Sequence, residues 1–506
     1  MVVVVAKELR LCAFRKRSER PVGSLEGPGS RYPPGPRPSL IPLVGNLFDI
    51  PKTQQWKTFS DWGEQYGDLV MIQLMGKKIC IINTYKAAQA LLTVKSSIYS
   101  DRPAMPMRFN VGLQPATSQS YARQRKLFDM GFSARNTSRY HGIINREYAR
   151  LLSLLMDGSK YDDHIKKQVI ESIDAIVMMI GLGYSIVEDD PFVRIAQQAQ
   201  LAMVSAARPG AYLVDLFPVL KYIPEWLPGA SFQKVAREGR ELSKKLQTEP
   251  FAWAISQFRK GEAKPSFFKA LMDSERRTEQ DSEHDTDIRA VTAVMYATAA
   301  DTIFSSVLTF ILAMLHAPEA QKAAQDELDR VISHRLPGLD DRTQLPYLNA
   351  LVKEALRWEL VIPLGVYNGY VIPAGTTIIA NQWGMAHDPG TYDQPYEFRP
   401  ERFLGNHGLP DPASIAFGWG KRACPGRYLA EDALFLFAAM TLTCFTISPV
   451  GKGKEGIPPR QYSDGLASRP VPFPCSFALR HPKAKDLIDN NLEYDFEGVE
   501  EVGGGE

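Results

Sequence analysis

A long apolar run in the middle of the chain constrains the fold more than any other feature of this sequence. Residues 288–316, IRAVTAVMYATAADTIFSSVLTFILAMLH, are apolar on nearly every face of a helix. Such a helix belongs in a protein interior, because a surface helix keeps a polar side. Helical patterns dominate residues 84–360, and no stretch inside the chain has the composition of a linker. The sequence therefore predicts one large, mainly α domain with this helix at its centre.

Shorter segments predict a small β region and two more helices. Residues 68–83, DLVMIQLMGKKICIIN, form two strand-like runs on either side of Gly76, as in a hairpin, and residues 367–381 are also strand-like. Helices are expected over residues 346–360 and from about Gly426 onward. The fold class is therefore mainly α with a small β region.

The charge balance and the distribution of cysteine and histidine exclude several classes of protein. The net charge is only +2, which does not favour a nucleic-acid partner. The five cysteines are scattered and odd in number, which argues against a disulfide framework and suits a reducing compartment. The histidines form no pair at i, i+4, so a metal site built from histidine has little support.

Two terminal segments are expected to lie outside the main domain, which we place at residues 33–482. Residues 1–32 are basic, and only five apolar residues follow the first Met before Lys7, against the ~20 that span a bilayer, so the anchor helix is expected to be absent or truncated. Residues 483–506 are acidic and predict a disordered tail. Within the domain, the proline-rich stretch 213–232 leaves two interpretations open: a buried connector, or a mobile lid or membrane-touching loop.

The stretch FGWGKRACPG at residues 417–426 surrounds one cysteine with glycine, proline and two cations. A thiolate that ligates haem iron needs close approach, hydrogen bonds to sulfur and shielding from water. Gly420 and Gly426 would leave room for a flat macrocycle and permit unusual dihedral angles, while Phe417 would supply an apolar wall. Arg422 could pair with a propionate, and N–H groups after Cys424 could stabilise a thiolate. The alternative is a tight turn before a helix that contains an incidental buried cysteine.

This loop resembles the haem-binding signature of the cytochrome P450s. The resemblance implies that Cys424 is the axial ligand of the iron of haem b. It also implies that EALR supplies Glu354 and Arg357, three residues apart on one helix face, and that FRPERF supplies Arg402 to complete a buried ion-paired triad. It covers roughly residues 33–480 and implies the large haem-thiolate fold of that family, with its long central helix over the haem.

Two further motifs resemble the same family. TAADTI resembles the oxygen-activation segment, which implies that Asp301 and Thr302 are catalytic and relay protons through water. YARQR resembles a family motif in which Arg125 would hold a propionate. Ala299 replaces the usual glycine of the oxygen groove, and Ile303 replaces a second threonine.

Other segments depart from the family pattern. Relatives carry a Pro-His-Arg-like stretch, with a cation for the other propionate, where this chain runs directly from residue 364 to residue 367. Residues 103–120 are also abbreviated where relatives shape the substrate pocket. These differences are consistent with a divergent enzyme or with an imperfect gene model.

The resemblance implies a monooxygenase, an oxidoreductase that inserts one oxygen atom from O2 into a small apolar substrate such as a terpenoid, steroid or polycyclic aromatic compound. NADPH would supply electrons through a flavoprotein reductase, which would dock on cations near the cysteine. These cations are Arg123, Lys126, Lys421, Arg422 and Arg427.

The segments YIPEWLPGA and PPGPRPSLIPLVGN are most similar to those of fungal family members that act in secondary metabolism, and xenobiotic oxidation is a related role. The family implies the cytosolic face of the endoplasmic reticulum membrane, although no anchor is visible and a soluble or peripheral protein is also consistent with the sequence. The alternatives are an enzyme that uses peroxide or rearranges an oxygenated substrate, and a defective haem-binding relic. The expected pocket lining comes from residues 98–109, 201–216, 295–302, 363–366 and 463–468.

Overall fold

The computed structural model describes most of the chain between residues 32 and 493. The described ranges are 32–39, 44–102, 118–156, 163–207, 212–274, 282–332, 334–369, 372–373, 375–405, 407–451, 456–465 and 467–493. The basic N-terminal segment and most of the abbreviated stretch 103–120 lie outside the described residues, so the expectations for them stay predictions.

Helices form most of the described structure, as the sequence predicted. In chain order they are α1 (Gln55–Tyr66), α2 (Tyr85–Ala88), α3 (Ser96–Tyr99), α4 (Gln119–Phe132), α5 (His141–Leu155), α6 (Asp163–Leu182), α7 (Pro191–Ala207), α8 (Leu213–Leu216), α9 (Ser231–Lys260), α10 (Phe267–Met272), α11 (Ser282–His316), α12 (Pro318–Val331), α13 (Pro346–Trp358), α14 (Gln382–Ala386), α15 (Ala413–Ala416), α16 (Arg427–Cys444) and α17 (Lys483–Glu493).

Helix α11 contains the apolar run and lies at the centre of the molecule. It packs against α4, α6, α9 and α16, and its Phe304, Val307 and Phe310 are fully buried. Among the described residues, the segment His284–His316 is long and apolar enough to cross a membrane, but most of its apolar window is buried against neighbouring helices. The prediction of a central core helix is confirmed, since each face of α11 meets another apolar surface.

Two small sheets complete the fold. The larger has the strand order β1-β2-β4-β3, with β1 (Leu69–Leu74), β2 (Lys77–Ile82), β3 (Leu364–Gly369) and β4 (Thr376–Asn381). β1 and β2 form the predicted antiparallel hairpin, whose turn places Gly76 at φ 77°. β2 and β4 are parallel, so the sheet joins residues that are about 300 positions apart in the chain. The smaller sheet pairs β5 (Phe445–Pro449) with β6 (Cys475–Leu479) antiparallel.

The prediction that residues 483–506 form a disordered tail is wrong for their first part. Residues Lys483–Glu493 form α17, which packs on α5. Ala484 and Ile488 are fully buried and Leu487 packs beside them, so the acidic segment has one apolar face at helical spacing. Residues 494–506 lie outside the described part of the chain.

The structure also decides between the two interpretations of residues 213–232. α8 is followed by a short 3-10 turn, Pro218–Tyr222, and α9 begins at Ser231. Val219, Tyr222 and Trp226 are 70%, 76% and 79% exposed. The segment is therefore largely a surface feature, and the interpretation as a buried connector is wrong.

Candidate active site

The cysteine loop is held closed by its own backbone. The N–H of Cys424 donates to the carbonyl of Phe417 at 2.7 Å, and the N–H of Ala423 donates to the carbonyl of Gly420 at 3.0 Å. Gly418 and Gly420 adopt φ values of 75° and 54°, which residues with a Cβ rarely adopt. The sequence of glycines therefore fixes a tight loop that ends at Cys424, directly before α16.

The two glycines of the motif have different roles. A Cβ on Gly420 would lie 2.2 Å from the carbonyl oxygen of Leu92 and 2.7 Å from the Cβ of Ser96. Gly420 therefore allows the loop to pack against the chain at Leu92 and Ser96, and the expectation that it leaves room for a macrocycle stays a prediction. A Cβ on Gly426 would meet nothing within 4 Å, so open space adjoins this glycine two residues after Cys424.

Opposing effects act on the Cys424 thiol. Burial raises its pKa above the usual value, and a hydrogen bond from the Gly426 N–H and the charges of Arg125 and Arg427 offset part of this rise. Its side chain is nevertheless exposed. The sulfur is therefore surrounded by protein but faces an open space, and the thiolate needed for iron ligation would be stabilised there by one N–H and two cations.

Two cations lie beside this space. The Nε of Arg422 donates to the carbonyl of Ser100 at 3.0 Å, and its guanidinium lies 4.1 Å from the ring centroid of Tyr121. Arg125 donates from Nη1 to the carbonyl of Ala423 at 2.8 Å. Burial lowers the pKa of Arg422, and the nearby charge of Arg125 lowers it further. Because the two positive charges repel one another, an anion such as a propionate would be favoured between them.

The residues present therefore fit a haem group. They provide one thiol with an N–H donor, an open space beside Gly426, a half-buried Phe417 and two guanidinium groups. No group of three or more His, Cys, Asp or Glu that could hold a bare metal ion occurs among the described residues. The cation that relatives carry near residues 364–367 has no equivalent in β3, whose six residues, LGVYNG, all pair with β4.

Thr302 lies on α11, which packs against both α4 and α16. Helix α4 carries Arg125, and α16 begins three residues after Cys424. Helix α11 therefore borders the part of the molecule that contains the cysteine loop. The Oγ1 of Thr302 donates to the carbonyls of Thr298 and Ala299, each at 3.1 Å. A hydroxyl bonded in this way competes with the helix's own hydrogen bonds.

Asp301, one residue earlier, is held by partners that the sequence did not reveal. Its Oδ1 lies 3.1 Å from the Nη1 of Arg469, and Gln200 on α7 also hydrogen-bonds to it. Burial raises the pKa of Asp301, whereas the charge of Arg469 and the hydrogen bond from Gln200 lower it. The only sequence signal for Arg469 is its position directly after residues 463–468, which were expected to line the pocket.

The structure brings the three predicted triad residues together. Nε and Nη2 of Arg357 donate to the two carboxylate oxygens of Glu354 at 2.8 and 2.7 Å, and both side chains are fully buried. Arg402 reaches Glu354 at 3.2 Å. Arg357 also donates to the carbonyls of Ala386 and Pro395 at 2.8 Å each, so the network fastens α13 to the segment that precedes the cysteine loop.

The expected basic patch is smaller than the sequence indicated. Arg123 pairs with the buried carboxylate of Asp287 on α11 at 2.5 Å, so its charge is neutralised within the fold. Lys126 and Lys421 are exposed, and Arg427 is half-buried with its guanidinium 4.3 Å from the ring of Tyr428. These three cations remain candidates for docking a partner.

Comparison with known proteins agrees with this geometry. The family model described as Cytochrome P450 matches residues 33–477. Cytochrome P450 monooxygenase 208 of Postia placenta is 39% identical over 487 residues, which cover 92% of this chain and 93% of the relative. Cytochrome P450 monooxygenase ple1 of Rhodocybe pseudopiperita is 37% identical, with 90% and 91% covered. Tryptamine 4-monooxygenase of Psilocybe cyanescens is 35% identical, with 91% and 94% covered. The chain therefore belongs to the cytochrome P450 family and is a monooxygenase of the type found in fungi.

Proposed function

We propose that this cytochrome P450 binds haem b through Cys424 and inserts one oxygen atom from O2 into a small apolar substrate, with electrons from NADPH delivered by a flavoprotein reductase. The observation that carries the proposal is the exposed but protein-enclosed thiol of Cys424, with the Gly426 N–H and the charge of Arg125 acting on it. When bound, haem supplies the binding and reductive cleavage of dioxygen.

The chain's own residues would divide the remaining work. Cys424 would hold the iron, and Arg125 and Arg422 would hold propionates and orient the ring. Asp301 would bind a proton on its carboxyl group, and Thr302 would pass a proton through its Oγ1 towards the oxygen site. Among the described residues, the partners of its hydroxyl are the helix carbonyls of Thr298 and Ala299, which do not supply or retain a proton.

Small apolar residues beside the acid and hydroxyl pair support a hydrophobic substrate. On α11, Ala299 and Ala300 are partly buried and carry no polar side-chain group, whereas Ile303 belongs to the core. Arg469 and Asp301 neutralise one another, so this ion pair does not demand a charged substrate. The name of one relative, tryptamine 4-monooxygenase, supports insertion of a single oxygen atom into a small organic molecule. A role in secondary metabolism or xenobiotic oxidation fits such chemistry.

A peripheral contact with the endoplasmic reticulum membrane would be made by residues 213–232. The exposed Val219, Tyr222 and Trp226 provide apolar and aromatic side chains, and Lys221 lies 4.8 Å from the ring of Tyr222. Aromatic and basic side chains together suit a membrane interface. Flotation with liposomes tests this proposal: Trp226→Ser should reduce the bound fraction, whereas Tyr396→Ser, another exposed aromatic position, should not.

The cations beside the cysteine loop would dock the reductase. Lys126→Glu should slow electron transfer at low ionic strength, because it places a like charge opposite the reductase's acidic surface. Lys260→Glu, at an exposed position on α9, is the matched control. Equal rates for the two variants at low salt would contradict docking at this face.

The ferrous–carbon monoxide spectrum of the haem-loaded protein tests the central proposal. The wild-type protein should show a thiolate-type Soret band, Cys424→Ala should lose it, and Cys444→Ala, at a buried cysteine, should keep it. Failure of the wild-type protein to take up haem would overturn the proposal and favour a relic. Product formed with NADPH and reductase then distinguishes a monooxygenase from an enzyme that turns over only with peroxide.

A further inference from the structure

A buried carboxyl group that the proposed function does not use lies on α6. Asp174 is 6% exposed, and its Oδ2 accepts a hydrogen bond from Nε2 of Gln197 on α7 at 3.0 Å. A carboxylate without a nearby cation is expensive to bury, so such a group tends to hold a proton or to serve a function. Its position among apolar neighbours on α6 is otherwise typical of the protein core.

A polar layer contains Asp174 and Asp301 as members of two hydrogen-bonded pairs. Gln197 and Gln200 are three residues apart on α7 and therefore share one helix face. Gln197 bonds to Asp174 on α6, and Gln200 bonds to Asp301 on α11. Because α11 packs against both α6 and α7, the two pairs lie where these three helices meet, with Gln197 exposed at the edge.

The charged groups that act on Asp174 are acids from three elements. Glu171 lies one turn away on α6, Asp190 precedes α7, and Asp301 lies on α11. Burial is the main reason that the pKa of Asp174 is raised to about 7; the hydrogen bond from Gln197 lowers the pKa, and the three negative charges raise it. Cations sit on the acids instead: Lys167 pairs with Glu171, and Arg469 pairs with Asp301.

Asp190 and Asp301 each have hydrogen-bond or ionic partners that Asp174 lacks. The carboxylate of Asp190 accepts hydrogen bonds from the hydroxyl of Tyr184 at 2.7 Å and from three backbone N–H groups at 2.8–3.1 Å. Asp301 has the guanidinium of Arg469 beside it. Of the two carboxyl groups in the layer, Asp174 is therefore the better place for a resting proton.

We propose that Asp174 is a proton-holding residue behind Asp301, which stores a proton at rest and resupplies Asp301 after that residue has released its own. This inference rests on the proposed function, in which RH, O2, two electrons and two protons give ROH and H2O. In the resupply step, the proton leaves the Asp174 carboxyl and binds the Asp301 carboxylate, so the pair's total charge is unchanged. Asp174 does not touch the reacting atoms and acts only through Asp301.

An infrared titration of the purified protein tests proton storage without any turnover. Near neutral pH, the wild-type protein should show a carboxylic acid C=O band that shifts in heavy water and is absent from Asp174→Asn. The asparagine keeps the size of the side chain and its contact with Gln197 but cannot release a proton. In Asp301→Asn, the band should titrate at lower pH, because one neighbouring negative charge is lost. A missing band, or a titration that Asp301→Asn leaves unchanged, would overturn the inference.

Turnover of the haem-loaded protein with reductase and NADPH tests resupply. Asp174→Asn should keep the thiolate-type ferrous–carbon monoxide band. The amount of product formed per NADPH consumed should fall several-fold, with the electrons recovered as hydrogen peroxide, and the solvent isotope effect on turnover should increase. Asp273→Asn, at an exposed position at the end of α10, is the control. If wild-type protein does not turn over, the proposed function fails, while the infrared result still decides whether Asp174 holds the proton. Unchanged coupling and isotope effect in Asp174→Asn would refute resupply.

Discussion

Replacing Arg357 with methionine removes one side of an ion pair that is fully buried. The five N–H groups of Arg357 are matched by five hydrogen bonds: two to the carboxylate of Glu354 and three to the carbonyls of Ala386, Pro395 and Glu397. Methionine keeps the aliphatic stem but leaves Glu354 with only Arg402 as a charged partner and leaves three carbonyls without this donor. Removing one partner of a buried pair costs about 3–5 kcal/mol.

The chain contains a matched control for this substitution. Glu147 and Arg150 have the same two residue types at the same spacing, with Nε of Arg150 3.2 Å from the carboxylate, but the Arg150 side chain is 48% exposed and that of Glu147 is 14% exposed. An ion pair whose cation is open to water contributes roughly 0–1 kcal/mol, because water screens the charges and the side chains lose entropy. Arg357→Met should therefore lower the free energy of unfolding by ~3 kcal/mol more than Arg150→Met does.

Urea unfolding followed by tryptophan fluorescence measures the difference. Trp358 reports directly on the network, because its Nε1 donates to the carbonyl of Tyr396 in the segment that Arg357 fastens. Since total stabilities are about 5–15 kcal/mol, Arg357→Met should still fold at low temperature, and Glu354→Gln provides a second variant that keeps the side-chain shape. A cost for Arg357→Met within ~1 kcal/mol of that for Arg150→Met would refute the reasoning.

Three other expectations follow from the geometry of the site. In the same urea assay, Gly420→Ala should lower the free energy of unfolding by at least about 1–2 kcal/mol, because the backbone has a left-handed φ and the added Cβ would clash with the carbonyl of Leu92. Gly426→Ala should lower it by less than about 0.5 kcal/mol, because Gly426 has a φ of −90° and adjoins open space. Asp174 should make the free energy of unfolding depend on pH, because the folded protein keeps a proton that the unfolded chain loses above about pH 3.8. The free energy of unfolding of the wild-type protein should therefore fall by about 1.4 kcal/mol per pH unit, relative to Asp174→Asn, up to about pH 7. The same dependence of unfolding free energy on pH in both proteins would contradict this. Arg469→Gln should raise the pKa of Asp301 further, because a cation that favours the carboxylate is lost. The upper pH limit of turnover should then move to higher pH, since Asp301 stays protonated over a wider range. An unchanged upper limit would show that Asp301 does not control it.

Local sequence determined the features that depend on neighbours along the chain. The uniform apolarity of residues 288–316 placed α11 in the core, because no orientation of that helix on a surface hides its apolar faces. The glycine spacing of residues 417–426 likewise determined a tight loop ahead of α16, since positive φ values at Gly418 and Gly420 require residues without a Cβ. Both features need few long-range contacts to specify them.

Other features were decided only when distant segments met. Gly420 is required by the carbonyl of Leu92, and the carboxyl of Asp301 is held by Arg469, at sequence separations that no local pattern reports. The acidic segment 483–493 became a helix because Ala484 and Ile488 found an apolar surface on α5.

The two Glu-x-x-Arg pairs show the physical reason most directly. Spacing alone puts each glutamate beside its arginine on one helix face, at residues 147 and 150 as at residues 354 and 357. Tertiary packing then leaves the Arg150 side chain 48% exposed, so water screens its charge. It removes both Glu354 and Arg357 from water, where every N–H group needs a partner. The sequence by itself determined that both pairs could form, and only the folded structure decided which of them holds the segment before Cys424 in place.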